Sequence, residues 1–220
     1  MAYAKPSVTV DMVIFSIENN TLRVLLIKRN LDPFKGKWAL PGGFVRDNEN
    51  LEEAAQRELS EETGVKSVYL EQLYTFGRIN RDPFGRVVSV AYLALIRPEN
   101  VRLKTTGEYQ DIKWFPVSRL PRLAYDHKEI VEVAIDRLQK RLGYTNIVRS
   151  LLPEKFSLTE LQSAHESILN KKLDKRNFRK KILALKLVKE TGVKEENKAY
   201  RPAALYEFSQ DKLIIKTILS

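Results

Sequence analysis

The 220-residue chain has no cysteine. Disulfides, zinc–thiolate sites and thiol catalysis are therefore excluded together. Long hydrophobic runs are also missing. The longest apolar stretches, such as Val87–Ile96, fall far short of the ~20 residues that a membrane span needs. The N-terminal segment MAYAKPSVTVDMVIF has a single Lys and no small-residue cleavage site after an apolar core. It reads as the start of a strand and not as a signal peptide, so a cytoplasmic protein with no membrane partner is expected. Neither internal repeats nor low-complexity tracts are found. What remains is 43% hydrophobic and 30% charged, a composition that suits a soluble globular protein. The length allows one large domain or two smaller ones.

The net charge is +10, unevenly spread. Residues 1–150 hold 23 basic and 19 acidic side chains, while residues 151–220 hold 15 and 9. Within Asn170–Lys181, seven basic residues (Lys171, Lys172, Lys175, Arg176, Arg179, Lys180, Lys181) face one acid, Asp174. The excess of the tail thus sits in one short stretch, as in polyanion-binding elements. A solvated helix face is the plainer reading of the same run.

Ser7–Ile17 and Arg23–Lys28 are β-rich, and Glu18-Asn19-Asn20 between them signals a hairpin turn. Leu51–Thr63 is rich in helix formers and is stopped by Gly64. Tyr69–Gly77, Val87–Ile96 and Ile112–Phe115 read as strands. Lys128–Leu142 has apolar residues at helical spacing and is expected to end at Gly143. Tyr144–Pro153 reads as a connector. Leu158–Leu169 and Asp174–Leu187 are expected helices, followed by β-like runs at Ala204–Phe208 and Leu213–Ile218. Two helices and then a hairpin outline a winged helix-turn-helix.

Gly43 to Val65 matches the pattern G-x5-E-x7-R-E-U-x-E-E-x-G-U (U apolar) at every fixed position. Glu58, Glu61 and Glu62 sit at i, i+3 and i+4, so a helix places them on one arc. Three like charges so close repel one another unless a hard divalent cation lies between them and a diphosphate. Such an ion lowers the pKa of bound water and orients it for attack on phosphorus. Arg57 can pair with a neighbouring carboxylate. Gly43 allows close backbone approach and offers a carbonyl ligand. The plainer alternative is a solvated acidic helix.

This motif resembles the box of Nudix hydrolases, and the likeness covers residues 7 to about 142. It implies an α/β/α sandwich around a mixed sheet. It also implies hydrolysis of a nucleoside diphosphate derivative by Arg57, Glu58, Glu61 and Glu62, with Mg²⁺ (or Mn²⁺) on Gly43, Glu58, Glu61 and Glu62. The general base would be a box glutamate or a later carboxylate such as Glu108. The stretch Leu73–Val90, Leu123–Ile130 with its Asp126-His127 pair, Leu173–Lys181 and Tyr200–Phe208 are similar to the Nudix-related transcriptional regulators of NAD metabolism. The resemblance implies a Nudix domain over 1–143, a linker over 144–153 and a winged helix-turn-helix over 154–220.

On this likeness, Arg29, Arg78, Arg81, Arg86 and His127 are candidates to hold ADP-ribose or a related metabolite, since guanidinium forks match phosphate oxygens. Tyr74 and Phe76 are candidates to stack on a base, or else are strand core. Lys175, Arg176, Asn177, Arg179 and Lys180 of the recognition helix, with Lys198, Tyr200 and Arg201 of the wing, are expected to meet a double-stranded DNA operator. A homodimer reading a palindrome is the expected assembly. Two alternatives stay open: a plain ADP-ribose pyrophosphatase with a structural C-terminal domain, and a sugar-sensing regulator of the same architecture.

Overall fold

The computed structural model describes residues 5–64, 68–97, 99, 101, 109–195, 202–210 and 213. Its contacts divide the chain into two compact units. One holds residues 1–16 and 22–135, the other 17–21 and 136–220.

The first unit is built on a mixed seven-stranded sheet. Its strands are β1 (Ser7–Glu18), β2 (Thr21–Arg29), β3 (Trp38–Ala39), β4 (Gly42–Phe44), β5 (Tyr69–Phe76), β6 (Val87–Leu95) and β7 (Tyr109–Pro116). β1 lies at the centre. It pairs parallel with β6 from Ser7↔Val87 to Phe15↔Leu95, and antiparallel with β4 at Val10↔Gly43 and Asp11↔Gly42. Alternate residues of a strand face opposite sides. Val10, Met12 and Ile14 accordingly join the cluster that holds Ala54, Ala55 and Leu59 of helix α1 (Leu51–Thr63). Val13 and Phe15, on the other side, are buried too. The turn Asn19-Asn20 has φ of 51° and 55°, the left-handed pair that a tight hairpin requires.

Helix α1 starts where the sequence says it should. The Asn50 side chain accepts from Glu53 N, and Glu53 answers the Asn50 N–H. A cap of this kind stabilises a helix by about 1 kcal/mol. Gly64 at φ 71° closes the helix onto Ser60 O, a conformation that disfavours any side chain. Helix α2 (His127–Tyr144) departs from expectation. It runs through Gly143, because the apolar residues Ile130, Val131, Ala134, Leu138 and Leu142 are all buried and outweigh the glycine's preference to stop.

The second unit holds strand β8 (Phe156–Ser157), helices α3 (Leu158–Leu169) and α4 (Lys175–Ala184), and strands β9 (Val188–Lys194) and β10 (Ala204–Phe208). The three strands form one sheet in the order β8-β10-β9. Two helices followed by a hairpin give the winged-helix arrangement. Residues 144–153, expected as a linker, contain a 3-10 helix (Ile147–Leu151) whose Ile147, Val148 and Leu151 are buried. The hairpin also differs from expectation. Its first strand is Val188–Lys194 and its second is Ala204–Phe208. Of the expected run Leu213–Ile218, all but Leu213 lies outside the described residues.

Ser157 and Glu160 cap α3 reciprocally. Asp174 caps α4 by accepting from Asn177 N. Between the helices, the Glu166 carboxylate takes Lys172 Nζ (2.8 Å), Leu173 N (3.0 Å) and Gln162 Nε2 (2.9 Å). Lys172 and these donors hold its pKa down at about 2. One carboxylate thereby fixes the turn that sets α4 against α3.

Candidate functional site

The Gly43–Val65 box folds around Arg57. Its Nε and Nη2 donate to both oxygens of Glu49 (2.9 and 2.6 Å), a fork on a carboxylate, and Nη1 donates to Glu58 Oε1 at 2.5 Å. Nη2 also reaches the Phe44 carbonyl at 3.2 Å, and Glu61 Oε2 lies 3.5 Å from Nη1. The hydrogen bonds from Arg57 hold the Glu49 carboxyl at about 2, and the Arg57 pKa rises above its ordinary value through Glu49 first and Glu58 next. Arg57 is thus the clip between α1, the loop before it and β4. Glu49, a fixed position of the motif, was absent from the expected catalytic set; the fork assigns it a structural part.

Gly43 faces Glu58 directly. A Cβ there would overlap Glu58 Oε1 and Cδ. Gly42 is constrained from the other side, where a Cβ would meet Val10 O and Asp11 Oδ1. The turn therefore needs glycine at both positions so that β4 can lie between β1 and the Glu58 carboxylate.

A divalent cation is what the box chemistry implies. By type, the carboxylates of Glu58, Glu61 and Glu62 and the Gly43 carbonyl suit a hard ion. In this structure Glu58 and Glu61 turn toward Arg57. Glu58 is held by Arg57, Glu62 is buried and Glu61 is exposed, and among the described residues no group of three acidic or histidine side chains is set to hold a metal ion. No step through a metal follows from this arrangement. Glu108, the later carboxylate proposed as a base, lies outside the described residues.

The arginines expected to meet a ligand are mostly turned toward the protein. Arg81 is buried. It donates to Asp126 through Nε and Nη2 (3.1 and 2.8 Å) and to Asp11 through Nη2 (3.1 Å). Burial works against its charge, but Asp126 and Asp11 outweigh that and raise its pKa. Ser89 Oγ donates to the same Asp11 oxygen that Arg81 holds, at 2.5 Å. His127 is also buried. Its Nδ1 accepts the Leu40 N–H at 2.8 Å, which leaves the proton on Nε2, 3.5 Å from Asp11 Oδ1. Burial lowers the His127 pKa, despite the pull of Asp11 and Asp126. These five side chains tie β1, β6, the turn after β5 and the first turn of α2 into one polar knot inside the unit. Nothing in local sequence signals it, since Arg81 lies 70 and 45 residues from its partners.

Arg86 Nη1 donates to the carbonyls of Gly77 and Arg78. Arg78 is exposed and pairs with Glu129 at 3.0 Å. Arg29 donates through Nε to Pro33 O and lies 5.2 Å over the Tyr125 ring. Of the two stacking candidates, Phe76 is buried in the strand and Tyr74 is 60% exposed.

On α4, Phe178 and Ile182 point inward. Lys175, Arg176, Asn177 and Lys180 are exposed. Arg179 departs from that group: it is half-buried and donates to Thr159 Oγ1 of α3 at 2.9 Å. Lys198, Tyr200 and Arg201 lie outside the described residues.

The NUDIX domain family matches residues 6–134, and the NrtR DNA-binding winged helix domain family matches residues 148–208. A relative from Acinetobacter baylyi, named an ADPR responsive transcriptional repressor, is 39% identical over 211 residues, which cover 94% of this chain and 84% of the relative. The structure of Shewanella oneidensis NrtR complexed with a 27mer DNA superposes with a TM-score of 0.81 at 36% identity, covering 92% of this chain and 93% of that one. The NUDIX domain of the same Shewanella protein, complexed with ADP ribose, matches at 38% identity and a TM-score of 0.56, over 62% of this chain and 90% of that one. With a complete box, a NUDIX domain and an NrtR winged helix in one chain, this protein belongs to the NrtR family.

Proposed function

We propose that the chain is a transcriptional repressor which binds operator DNA through its winged helix and responds to ADP-ribose through its Nudix domain. One observation carries the reading: in a chain with a complete box, α4 buries Phe178 and Ile182 while it shows Lys175, Arg176, Asn177 and Lys180 to solvent. Exposed cations on a helix of this kind release counterions from DNA phosphates, and side chains beside them reach base edges. The A. baylyi relative is named for its response to ADPR, and the Shewanella protein is known with DNA and, in its NUDIX domain, with ADP ribose. The proposed assembly is a homodimer on a palindromic operator, with genes of NAD metabolism as targets.

The test is a gel shift with DNA from upstream of the protein's own gene and its neighbours, with and without ADP-ribose. Retarded DNA that ADP-ribose releases is the expected result. No retardation by any fragment overturns the DNA reading. Retardation that ADP-ribose leaves unchanged removes ADP-ribose as the effector and favours a pentose. Light scattering of the free protein checks the dimer.

Hydrolysis of ADP-ribose to AMP and ribose 5-phosphate is a second reading, favoured by the intact box. It is tested by product analysis with Mg²⁺ or Mn²⁺ present, in wild type and Glu61→Gln. Equal rates in both would remove the box as the reacting site.

A further inference from the structure

Two aromatic residues of the first unit sit on a backbone that aromatic residues rarely adopt. Phe34, in the loop between β2 and β3, has φ of 66°, and Tyr125, just before α2, has φ of 51°. Glycine or asparagine would relax either position. Strain of this kind persists only where the surroundings enforce it, and it gathers at ligand-holding sites. Here the two strained residues meet each other. Their rings pack edge to face, 4.7 Å between centroids and 71° between planes.

The enforcing contacts are plain. Tyr125 is followed by Asp126 and His127, both locked into the buried knot with Arg81 and Asp11. Its ring also lies 5.1 Å from that of His127. Arg29 Nε donates to Pro33 O beside Phe34, and its guanidinium lies over Tyr125. The terminal nitrogens of Arg29 have no hydrogen-bond partner among the described residues. Phe34 remains 38% exposed, so part of its ring is open to solvent. A rigid ring backed by a second ring, with a guanidinium beside it that has donors to spare, suits a flat π-system carrying anionic groups.

The position relative to the box agrees. His127 Nδ1 holds the Leu40 N–H, and the chain then runs through Pro41 directly into Gly42-Gly43. The aromatic pair and the glycine turn therefore share one anchor. We infer that Phe34, backed by Tyr125 and flanked by Arg29, is the platform that receives the base of a nucleoside diphosphate ligand. This rests on the ADP-ribose reading above, and adds which end of the ligand lies where.

The test is calorimetric titration of the full chain with ADP-ribose and, separately, with inorganic pyrophosphate, which has no base. Phe34→Asn removes the ring and suits the left-handed backbone, so its melting temperature should stay close to wild type. ADP-ribose should bind it about tenfold more weakly, the scale of one lost base–aromatic stack. Pyrophosphate affinity should be unchanged, and Phe34→Tyr should restore ADP-ribose binding. Phe34→Leu replaces Phe34→Asn if the latter fails to fold. Equal loss for both ligands would mean that Phe34 only shapes the loop, and would overturn the proposal. So would ADP-ribose bound equally by wild type and the variants, which leaves the ADP-ribose reading standing. Wild type that binds no ADP-ribose would overturn both.

Discussion

Acidification from pH 7 to pH 4 should weaken the winged-helix unit through one side chain, His165. It lies on α3, fully buried, with its Nδ1–H donating to the Leu161 carbonyl at 2.8 Å and its ring 5.0 Å from that of Phe178 on α4. Burial holds its pKa at about 4, against an ordinary 6.5; the Leu161 carbonyl pulls the other way and loses. The folded pKa is the lower one, so the unfolded chain takes up the proton first. The stabilisation is complete above pH 6.5 and is lost as the pH falls from there toward 4. One unit of pKa shift corresponds to 1.36 kcal/mol, so the shift from 6.5 to about 4 amounts to about 3 kcal/mol. That is a large part of the 5–15 kcal/mol that typically holds a domain together. Glu166 beside it acts in a lower window, because its carboxyl, held at about 2, loses its contribution only below pH 4.5. The chain has two histidines, so its imidazole C–H proton spectrum is simple, and the resonance lost in His165→Gln identifies this one. Urea unfolding at pH 7, 6, 5 and 4 should show wild type losing stability more steeply than His165→Gln, by about one proton's worth between pH 6.5 and 4. A His165 resonance that titrates near 6.5 in the folded protein, or equal slopes for the two proteins, would refute the reasoning.

Gly43→Ala should cost about 1–3 kcal/mol, the usual cost of overpacking, because its Cβ overlaps Glu58; denaturant melts measure it. Arg81→Leu leaves the buried Asp11 and the half-buried Asp126 without their cation, and should cost about 3–5 kcal/mol by the same assay. Converting Arg176 and Lys180 to Glu should leave the melting temperature unchanged, since both are exposed. It should also reduce the slope of log affinity for DNA against log salt by about 2. Arg179→Ala, by contrast, should lower the melting temperature as well as DNA affinity, since it breaks the bond to Thr159.

The parts legible in the sequence are those fixed by near neighbours. The hairpin turn at Asn19-Asn20, the stop of α1 at Gly64 and the box itself all rest on residues close together in the chain. β3 and β4, at two and three residues, are too short to carry an alternating pattern. β9 is not legible for a different reason: apart from Val188, its side chains are mostly exposed, so its Lys, Glu, Thr and Gly composition reads as a turn. It becomes a strand only because β10 supplies its hydrogen-bond partner. The candidate site divides in the same way. The Glu58, Glu61 and Glu62 spacing was visible, but the inward turn of Arg81 depends on aspartates far away in the chain, and that of Arg179 on a hydroxyl 20 residues earlier. Chemistry that suits phosphate also suits buried carboxylates, and only the fold decides between them.

The space that a side chain at position 43 would need is filled by the carboxylate of Glu58. In a lineage that still uses that carboxylate, neither residue is free to change first. Alanine at 43 meets an obstruction, and shortening Glu58 takes away an acceptor of Arg57. Once a descendant no longer needs Glu58, the obstruction goes with it, and position 43 can accept a side chain at little cost. Loss of the box chemistry should therefore leave a paired mark on sequences, with changes at 58 opening the way for changes at 43. The order of events is fixed by the steric clash, so a branch with alanine at 43 and glutamate at 58 should be rare and poorly stable.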